Sequence, residues 1–135
     1  MSFVAYKADK VVNALRAAVS RDVLVRIVLE ISEEHGGKVT FDPVHAMRTA
    51  VPGAHIYHWP LEQRTRSEWG DYGSLHAKCA VTDDDVAVVT SANLTGFPLE
   101  LNMELRILIR GESVSGRVYR HFDELIRRGV LTKFP

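Results

Sequence analysis

Residues 75–104 read LHAKCAVTDDDVAVVTSANLTGFPLELNME, and this stretch decides how the chain folds. It opens with an alternating segment that predicts a strand, on which His76 and Lys78 share one face. The acidic run 83–85 has the composition of a turn, and Val86 to Ser91 is rich in β-branched residues, which favours a second strand. The stretch therefore predicts a β-hairpin that carries two polar side chains on its first strand.

The register of this hairpin follows from its turn. A turn centred on Asp84 brings Ser91 and Asn93 back beside the first strand, next to His76 and Lys78. We therefore expect the four polar side chains to form one cluster.

A third strand is predicted from Asn102 to Ile109, because apolar and polar residues alternate there. Glu104 falls on the polar face and can point toward the same cluster. The opposite face is apolar and holds Leu101, Met103, Leu105, Ile107 and Ile109.

The polar cluster suits attack on a phosphodiester. An imidazole is a competent nucleophile at neutral pH, and Lys78 and Asn93 can stabilise the charge on the phosphate oxygens. Ser91 can add a hydroxyl hydrogen bond. Glu104 can accept the second ring N–H of His76, which fixes the tautomer and makes the ring more basic. These five residues are the candidate catalytic set.

The spacing of these residues is that of a known motif. His76-x-Lys78, then Asp83, then Thr-Ser-Ala-Asn at 90–93 and Glu104 resemble the HKD motif of the phospholipase D superfamily. That family usually has glycine where this chain has the threonine before the serine. The wider run from Phe3 through Glu30 to Glu104 resembles the phospholipase D-like protein of DISARM anti-phage defence systems.

The resemblance implies a fold and a mechanism. The fold would be α/β, a mixed β-sheet flanked by helices on both faces, with Asp83 in a structural role. The mechanism would pass through a phosphohistidine on His76, with a histidine from a second motif as general acid. Residues 1–135 hold one such motif, so a symmetric homodimer would supply the second. The family needs no metal and no cofactor.

Length and composition agree with one domain. The chain has 135 residues, 46% of them hydrophobic, and a single cysteine, Cys79, which excludes an internal disulfide. No apolar run is long enough to cross a membrane, and the start lacks the layout of a secretory signal, so a cytoplasmic location is expected. The net charge is zero, but residues 105–135 carry seven Lys/Arg and three Asp/Glu, so a basic face can exist.

The rest of the chain reads as alternating strands and helices. Asp42 is the candidate N-cap of a helix that begins at Pro43 and ends at Pro52-Gly53. A polar loop, 60–74, leads into the histidine. The other predicted elements are strands at Ser2–Tyr6, Val23–Glu30 and Ala54–Trp59 and helices at Asp9–Val19 and Ser113–Arg128.

The loop before His76 contains Arg64, Arg66 and Trp69, which we expect to contact substrate. Together with the basic C-terminal helix they favour nucleic acid as the substrate. Two other site types are disfavoured. His55 and His58 would face opposite sides of a strand and so make a poor zinc pair, and the sequence around Ser91 is not the G-x-S-x-G of a serine hydrolase.

The sequence therefore predicts an enzyme, a metal-independent nuclease of the phospholipase D superfamily that works as a homodimer, with a role in anti-phage defence. Two alternatives stay open. One is a phospholipid hydrolase or transphosphatidylase, and the other is a non-catalytic nucleic-acid-binding component of a defence complex with further subunits. A nuclease needs a basic cleft, whereas a lipid enzyme needs an exposed apolar rim.

Overall fold

The structure is a computed structural model, and it describes residues 9–31, 42–92 and 103–135. The described part contains three helices and six strands in two three-stranded sheets. In chain order they are α1 (Asp9–Val19), β1 (Arg26–Leu29), α2 (Pro43–Ala50), β2 (His55–His58), β3 (Cys79–Thr82), β4 (Val86–Thr90), β5 (Arg106–Arg110), α3 (Glu112–Arg127) and β6 (Thr132–Lys133). A short 3-10 turn spans Leu61–Gln63.

The first sheet has the strand order β1-β2-β6 and is mixed. β1 pairs with β2 in parallel, and β6 returns antiparallel to β2, with Tyr57 opposite Lys133. Alternate residues of β1 enter two different cores, because successive side chains of a strand point to opposite faces. Ile27 and Leu29 pack with α1 and α2, whereas Val28 packs with α3. Helices therefore cover both faces of this sheet, and the prediction of a mixed α/β fold is confirmed.

The helix signals in the sequence match the structure closely. Asp42 Oδ1 accepts hydrogen bonds from the N–H groups of Val44 and His45, both at 3.0 Å, and α2 begins at Pro43 as predicted. After α2, Gly53 adopts φ +90°, and a Cβ there would lie 2.9 Å from Val19 Cγ1. A residue with a side chain would be strained at this position, so the chain turns away from α2 at a glycine.

The second sheet, β3-β4-β5, is antiparallel throughout and contains the hairpin. Cys79 lies opposite Val89, a register that centres the turn on Asp84 as the sequence predicted. Asp83 and Asp84 adopt φ values of 50° and 54°, and the N–H of Asp85 donates to Thr82 O at 3.2 Å. Aspartate tolerates this left-handed conformation better than most residues, so an acidic run can form the turn.

Strand boundaries differ from the predictions. The first hairpin strand, predicted from residue 75, begins at Cys79, so His76 and Lys78 lie before β3 rather than in it. The third strand begins at Arg106 rather than Asn102, and Leu105 and Ile107 are 68% and 51% exposed. The predicted strand Ser2–Tyr6 lies outside the described residues, and the short strand β6 was not predicted.

Helix α3 contacts both sheets. Its C-terminal half packs Phe122, Leu125 and Ile126 against the second core of the first sheet, formed by Val28, Tyr57 and Leu131. Its N-terminal half buries Ser115 and Gly116, and the helix also contacts β3, β4 and β5. An ion pair between Arg26 and Asp123, 2.8 Å long, ties β1 to the same helix. The position of the hairpin relative to the first sheet therefore depends on α3.

Candidate active site

His76 and Lys78 lie in the extended segment that leads into β3. His76 is exposed and Lys78 is half-buried, and the Lys78 ammonium donates to the backbone carbonyl of His76 at 3.0 Å. The N–H of Thr90 donates to Lys78 O at 2.9 Å, so the hairpin register continues past the end of the strand. This register places Ala92 opposite His76, and the end of β4 therefore lies beside both candidate residues.

Ser91 and Glu104 meet at the same end of the sheet. The Ser91 hydroxyl donates a short hydrogen bond to Glu104 Oε2 and accepts from the N–H of Leu105 at 3.1 Å. The backbone of Ser91 also donates to Leu105 O at 3.1 Å. The sequence had suggested the ring of His76 as the partner of Glu104, and the structure instead gives this carboxylate the serine hydroxyl. A charged acceptor strengthens and shortens such a bond, so Ser91 is held in one orientation.

Two other motif residues have different outcomes. Asp83 lies in the left-handed turn at the far end of the hairpin, away from the histidine. Asn93, the predicted partner of Lys78 in binding phosphate, lies outside the described residues. Its role stays a prediction.

Arg64 is not a surface residue of the loop. Its side chain is 1% exposed and its Nη2 lies 2.6 Å from Oε1 of Glu30, a carboxylate that is also buried. The guanidinium donates further hydrogen bonds to the carbonyls of Trp59 and Gly73. With its donors satisfied by the interior, Arg64 cannot reach a substrate in this structure. The expected substrate contact is corrected to a structural one.

Arg66 and Trp69 remain available at the surface. Arg66 is exposed, donates to Gly70 O at 3.1 Å and lies 5.2 Å from the centre of the Tyr72 ring. Trp69 is 87% exposed. An indole and a guanidinium held in an exposed loop can stack on bases or contact phosphate, so both stay candidates for substrate contact.

Residues 1–126 match the family described as cardiolipin synthase, PLD-like domain. The chain belongs to the phospholipase D-like family. The match covers nearly the whole chain, including the hairpin and both helices that flank the first sheet on one side.

Curated relatives of this phospholipase D-like chain are much longer. Cardiolipin synthase A of Pseudomonas aeruginosa is 28% identical over 110 residues, which are 82% of this chain and 20% of that protein. Cardiolipin synthase A of Pseudomonas fluorescens is 29% identical over 100 residues, 74% of this chain and 19% of that protein. The chain thus spans about a fifth of the length of these relatives.

Solved structures give the same fold at lower identity. NucT from Helicobacter pylori superposes with a TM-score of 0.77 at 16% identity, over 98% of this chain and 77% of that one. Nuc from Salmonella typhimurium, a phospholipase D family member, superposes with a TM-score of 0.65 at 21% identity, over 98% of this chain and 76% of that one. The phospholipase D-like fold is therefore shared with proteins of similar size.

Glu30 was not predicted from the sequence to lie near the candidate active site. The available signal is an acidic residue directly after the near-continuous apolar segment 23–29, which only Arg26 interrupts. A carboxylate buried at the end of such a segment loses its hydration, and only a charged or hydrogen-bonding partner offsets that cost, which indicates a buried ion pair. Its partner Arg64 lies far along the chain, so the pairing itself has no local signal.

Two further side chains, Cys79 and Arg26, have raised pKa values. Burial raises the pKa of the Cys79 thiol, which keeps it protonated at neutral pH. The hydrogen bond to Asp123 raises the pKa of Arg26, so this guanidinium stays charged. Within residues 9–31, 42–92 and 103–135, none of the helices is long and apolar enough to cross a bilayer.

Proposed function

We propose that this chain is a phosphodiesterase that cleaves nucleic acid with His76 as the nucleophile and without a metal ion. The observation that supports this most is an exposed imidazole beside Lys78, at the end of the hairpin where Ser91 and Glu104 are joined. The exposed ring is accessible to a phosphorus atom. The lysine ammonium has three donors and spends one on a backbone carbonyl, so two remain for phosphate oxygens.

The reaction has two steps. A ring nitrogen of His76 attacks phosphorus, a P–N bond forms, and the P–O bond to the leaving oxygen breaks. The leaving oxygen takes a proton from His76 of the partner subunit. Water then attacks the phosphohistidine, gives a proton to that same partner imidazole, and releases His76. Lys78 and Asn93 bind the phosphate oxygens in both steps, and Ser91, held by Glu104, adds a hydroxyl at the edge of the site.

The decisive variant is His76→Asn, which removes the nucleophile and keeps a polar side chain. Turnover of DNA or RNA should fall by several powers of ten, because a covalent nucleophile is lost. The circular-dichroism spectrum and unfolding midpoint should stay those of the wild type, since His76 is exposed. His45→Asn, the same change at an exposed histidine of α2, is the matched control and should be fully active. Activity of His76→Asn within about tenfold of wild type would remove His76 from the mechanism.

A shared dimeric site is the second part of the proposal. One motif supplies a nucleophile and phosphate-binding groups, but the leaving oxygen still needs a proton donor. We propose Leu94, Phe97 and Leu99 as apolar contacts of the dimer; these residues lie outside the described ranges. Mixing wild-type and His76→Asn chains under subunit exchange tests the sharing. Activity should follow the square of the wild-type fraction, whereas a linear fall or a fully active monomer would contradict it.

A lipid substrate is the second candidate, and two observations favour it. The curated relatives are named cardiolipin synthases, and Met103, Leu105 and Ile107 expose apolar side chains next to Glu104. Phospholipid vesicles, single-stranded and duplex DNA, and RNA should be assayed in parallel. Cleavage of phosphatidylglycerol or cardiolipin vesicles with none of the nucleic acids would replace the nuclease proposal.

The proposed nucleic-acid contacts are Arg66, Trp69 and the arginines Arg117 and Arg120 of α3. Binding should weaken steeply with salt, because each neutralised phosphate releases counterions. A role within a DISARM-type defence complex is part of the proposal and rests on the sequence resemblance. The chain could bind nucleic acid with this salt dependence and yet cleave no substrate, either alone or mixed with other subunits. That result would make it a non-catalytic binding component of such a complex.

A further inference from the structure

The carboxylate of Glu30 lies in the interior at the end of β1, where it is 6% exposed and both its oxygens are used. Oε1 accepts from the N–H of Ile31 at 2.9 Å and from Arg64 Nη2 at 2.6 Å. Oε2 accepts from the N–H of Leu75 at 2.8 Å. Burying an ionised carboxylate is costly, and its bonds to charged and backbone donors offset that cost.

Arg64 connects the same carboxylate to both ends of the loop that precedes the hairpin. Its Nε and Nη2 donate to the carbonyl of Trp59 at 3.0 and 2.7 Å, where the loop begins. Its Nη1 donates to the carbonyl of Gly73 at 3.1 Å, where the loop ends. The loop 60–74 is therefore closed at its base by one guanidinium, which is fixed in turn to the end of β1.

His76 follows directly from this anchored base. Leu75 has its N–H bound to Glu30 and its side chain packed against the core that contains Val28 and Tyr57. On the other side of the histidine, Lys78 O accepts from the N–H of Thr90. The exposed imidazole thus extends from a short segment held at both ends, on one side by the first sheet and on the other by the hairpin.

We propose that the buried pair Glu30–Arg64 positions the nucleophile, by fixing the backbone at Leu75 from which His76 extends; this rests on the proposed function of His76. Neither residue touches substrate. Attack on phosphorus needs the ring nitrogen in line with the leaving oxygen, and a displacement of about 1 Å can cost about 100-fold in rate. A loosened Leu75 should therefore lower kcat while KM changes little.

The first test is Glu30→Gln, which keeps the volume of the side chain and removes its charge. The amide can no longer accept from Leu75, Ile31 and Arg64 together, so we expect kcat to fall about 10- to 100-fold with KM within about threefold of wild type. Asp123→Asn is the matched control, since it breaks the other cross-element ion pair, Arg26–Asp123. It should lower the unfolding midpoint and leave kcat unchanged. Wild-type kcat in Glu30→Gln would refute the positioning role.

A second variant separates positioning from stability. Buried ion pairs can often be replaced by apolar side chains of similar volume without loss of stability. The double variant Glu30→Leu with Arg64→Met leaves no unpaired buried charge, so it should unfold at a higher midpoint than Arg64→Met alone, yet its kcat should stay as low as that of Glu30→Gln. Recovery of kcat together with the midpoint would mean that the pair only stabilises the fold. If the double variant does not fold, Glu30→Gln and its control decide the question.

Hydrogen exchange of the Leu75 amide reports on the positioning role without enzymatic turnover. In the wild type, hydrogen exchange of the Leu75 amide should be slow, and Glu30→Gln should speed it by a factor of ten or more. The ring resonances of His76 should shift and broaden in the same variant and stay unchanged in Asp123→Asn. Unchanged Leu75 exchange in Glu30→Gln would overturn the positioning role, whereas an inactive wild type with the expected exchange would overturn only the proposed phosphodiesterase.

Discussion

Arg64 and Arg66 are two positions apart in one polar loop, and the structure predicts opposite consequences for the same substitution. Arg64→Met leaves the buried carboxylate of Glu30 without its counter-charge and leaves the carbonyls of Trp59 and Gly73 without a partner. Breaking a buried ion pair by removing one side typically costs about 3–5 kcal/mol. Since a domain of this size is stable by about 5–15 kcal/mol, this one change removes a large fraction of the free energy of unfolding.

Arg66→Met is the matched control. Arg66 is exposed, with one hydrogen bond to Gly70 O and a contact over the Tyr72 ring. Contacts of this kind at the surface are worth about 0.5–1 kcal/mol. Urea unfolding followed by circular dichroism measures both variants under one set of conditions. Arg66→Met should therefore change the free energy of unfolding little. It should weaken nucleic-acid binding and reduce the slope of log affinity against log salt by about one. Equal stability losses for the two variants, or a loss below about 1 kcal/mol for Arg64→Met, would refute the buried pair.

Three further changes follow from single observations. Asp84→Gly should raise the free energy of unfolding by about 0.5–1 kcal/mol. Glycine adopts the left-handed turn without strain, and the change removes a carboxylate that lies between those of Asp83 and Asp85. A lower urea midpoint would contradict this. Ser115→Ala should be neutral or stabilising by up to about 1 kcal/mol, since the buried hydroxyl has no hydrogen-bond partner among the described residues and alanine favours helix; calorimetry measures it. Cys79 should react slowly with a disulfide reagent at pH 7 and faster as pH rises, because burial raises its pKa and the thiolate is the reactive form. Urea should expose the thiol and speed the reaction. Rapid reaction of the folded protein would argue against burial.

Features encoded by neighbouring residues could be predicted from the sequence. The cap at Asp42, the start of α2 at Pro43 and the hairpin centred on Asp84 each depend on a few adjacent side chains and their backbone preferences. These signals also predicted the register that brings the end of β4 beside His76 and Lys78. Local chemistry therefore fixed the geometry of the hairpin part of the site.

Features that depend on distant partners could not be predicted. Arg64 and Arg66 have the same charge and lie in the same loop. Among the described residues only Arg64 meets a carboxylate, that of Glu30, 34 positions earlier in the chain. Likewise, alternation predicted that Glu104 points toward His76, whereas in the structure its carboxylate accepts from the hydroxyl of Ser91. Strand β6 is two residues long and carries no periodicity, so only its pairing with β2 defines it.

The pairing of β2 with β6 has a consequence during synthesis. β2 is the central strand of its sheet, and the strand that covers its second side comes from Thr132–Lys133, near the end of the chain. The hairpin β3–β4 can form from its own local contacts, but one edge of β2 keeps unpaired N–H and C=O groups until Thr132 and Lys133 have been synthesised and have paired. An open edge of this kind is a template for pairing with other chains. Chains in which β6 has not yet paired with β2 should therefore aggregate more readily than the folded protein.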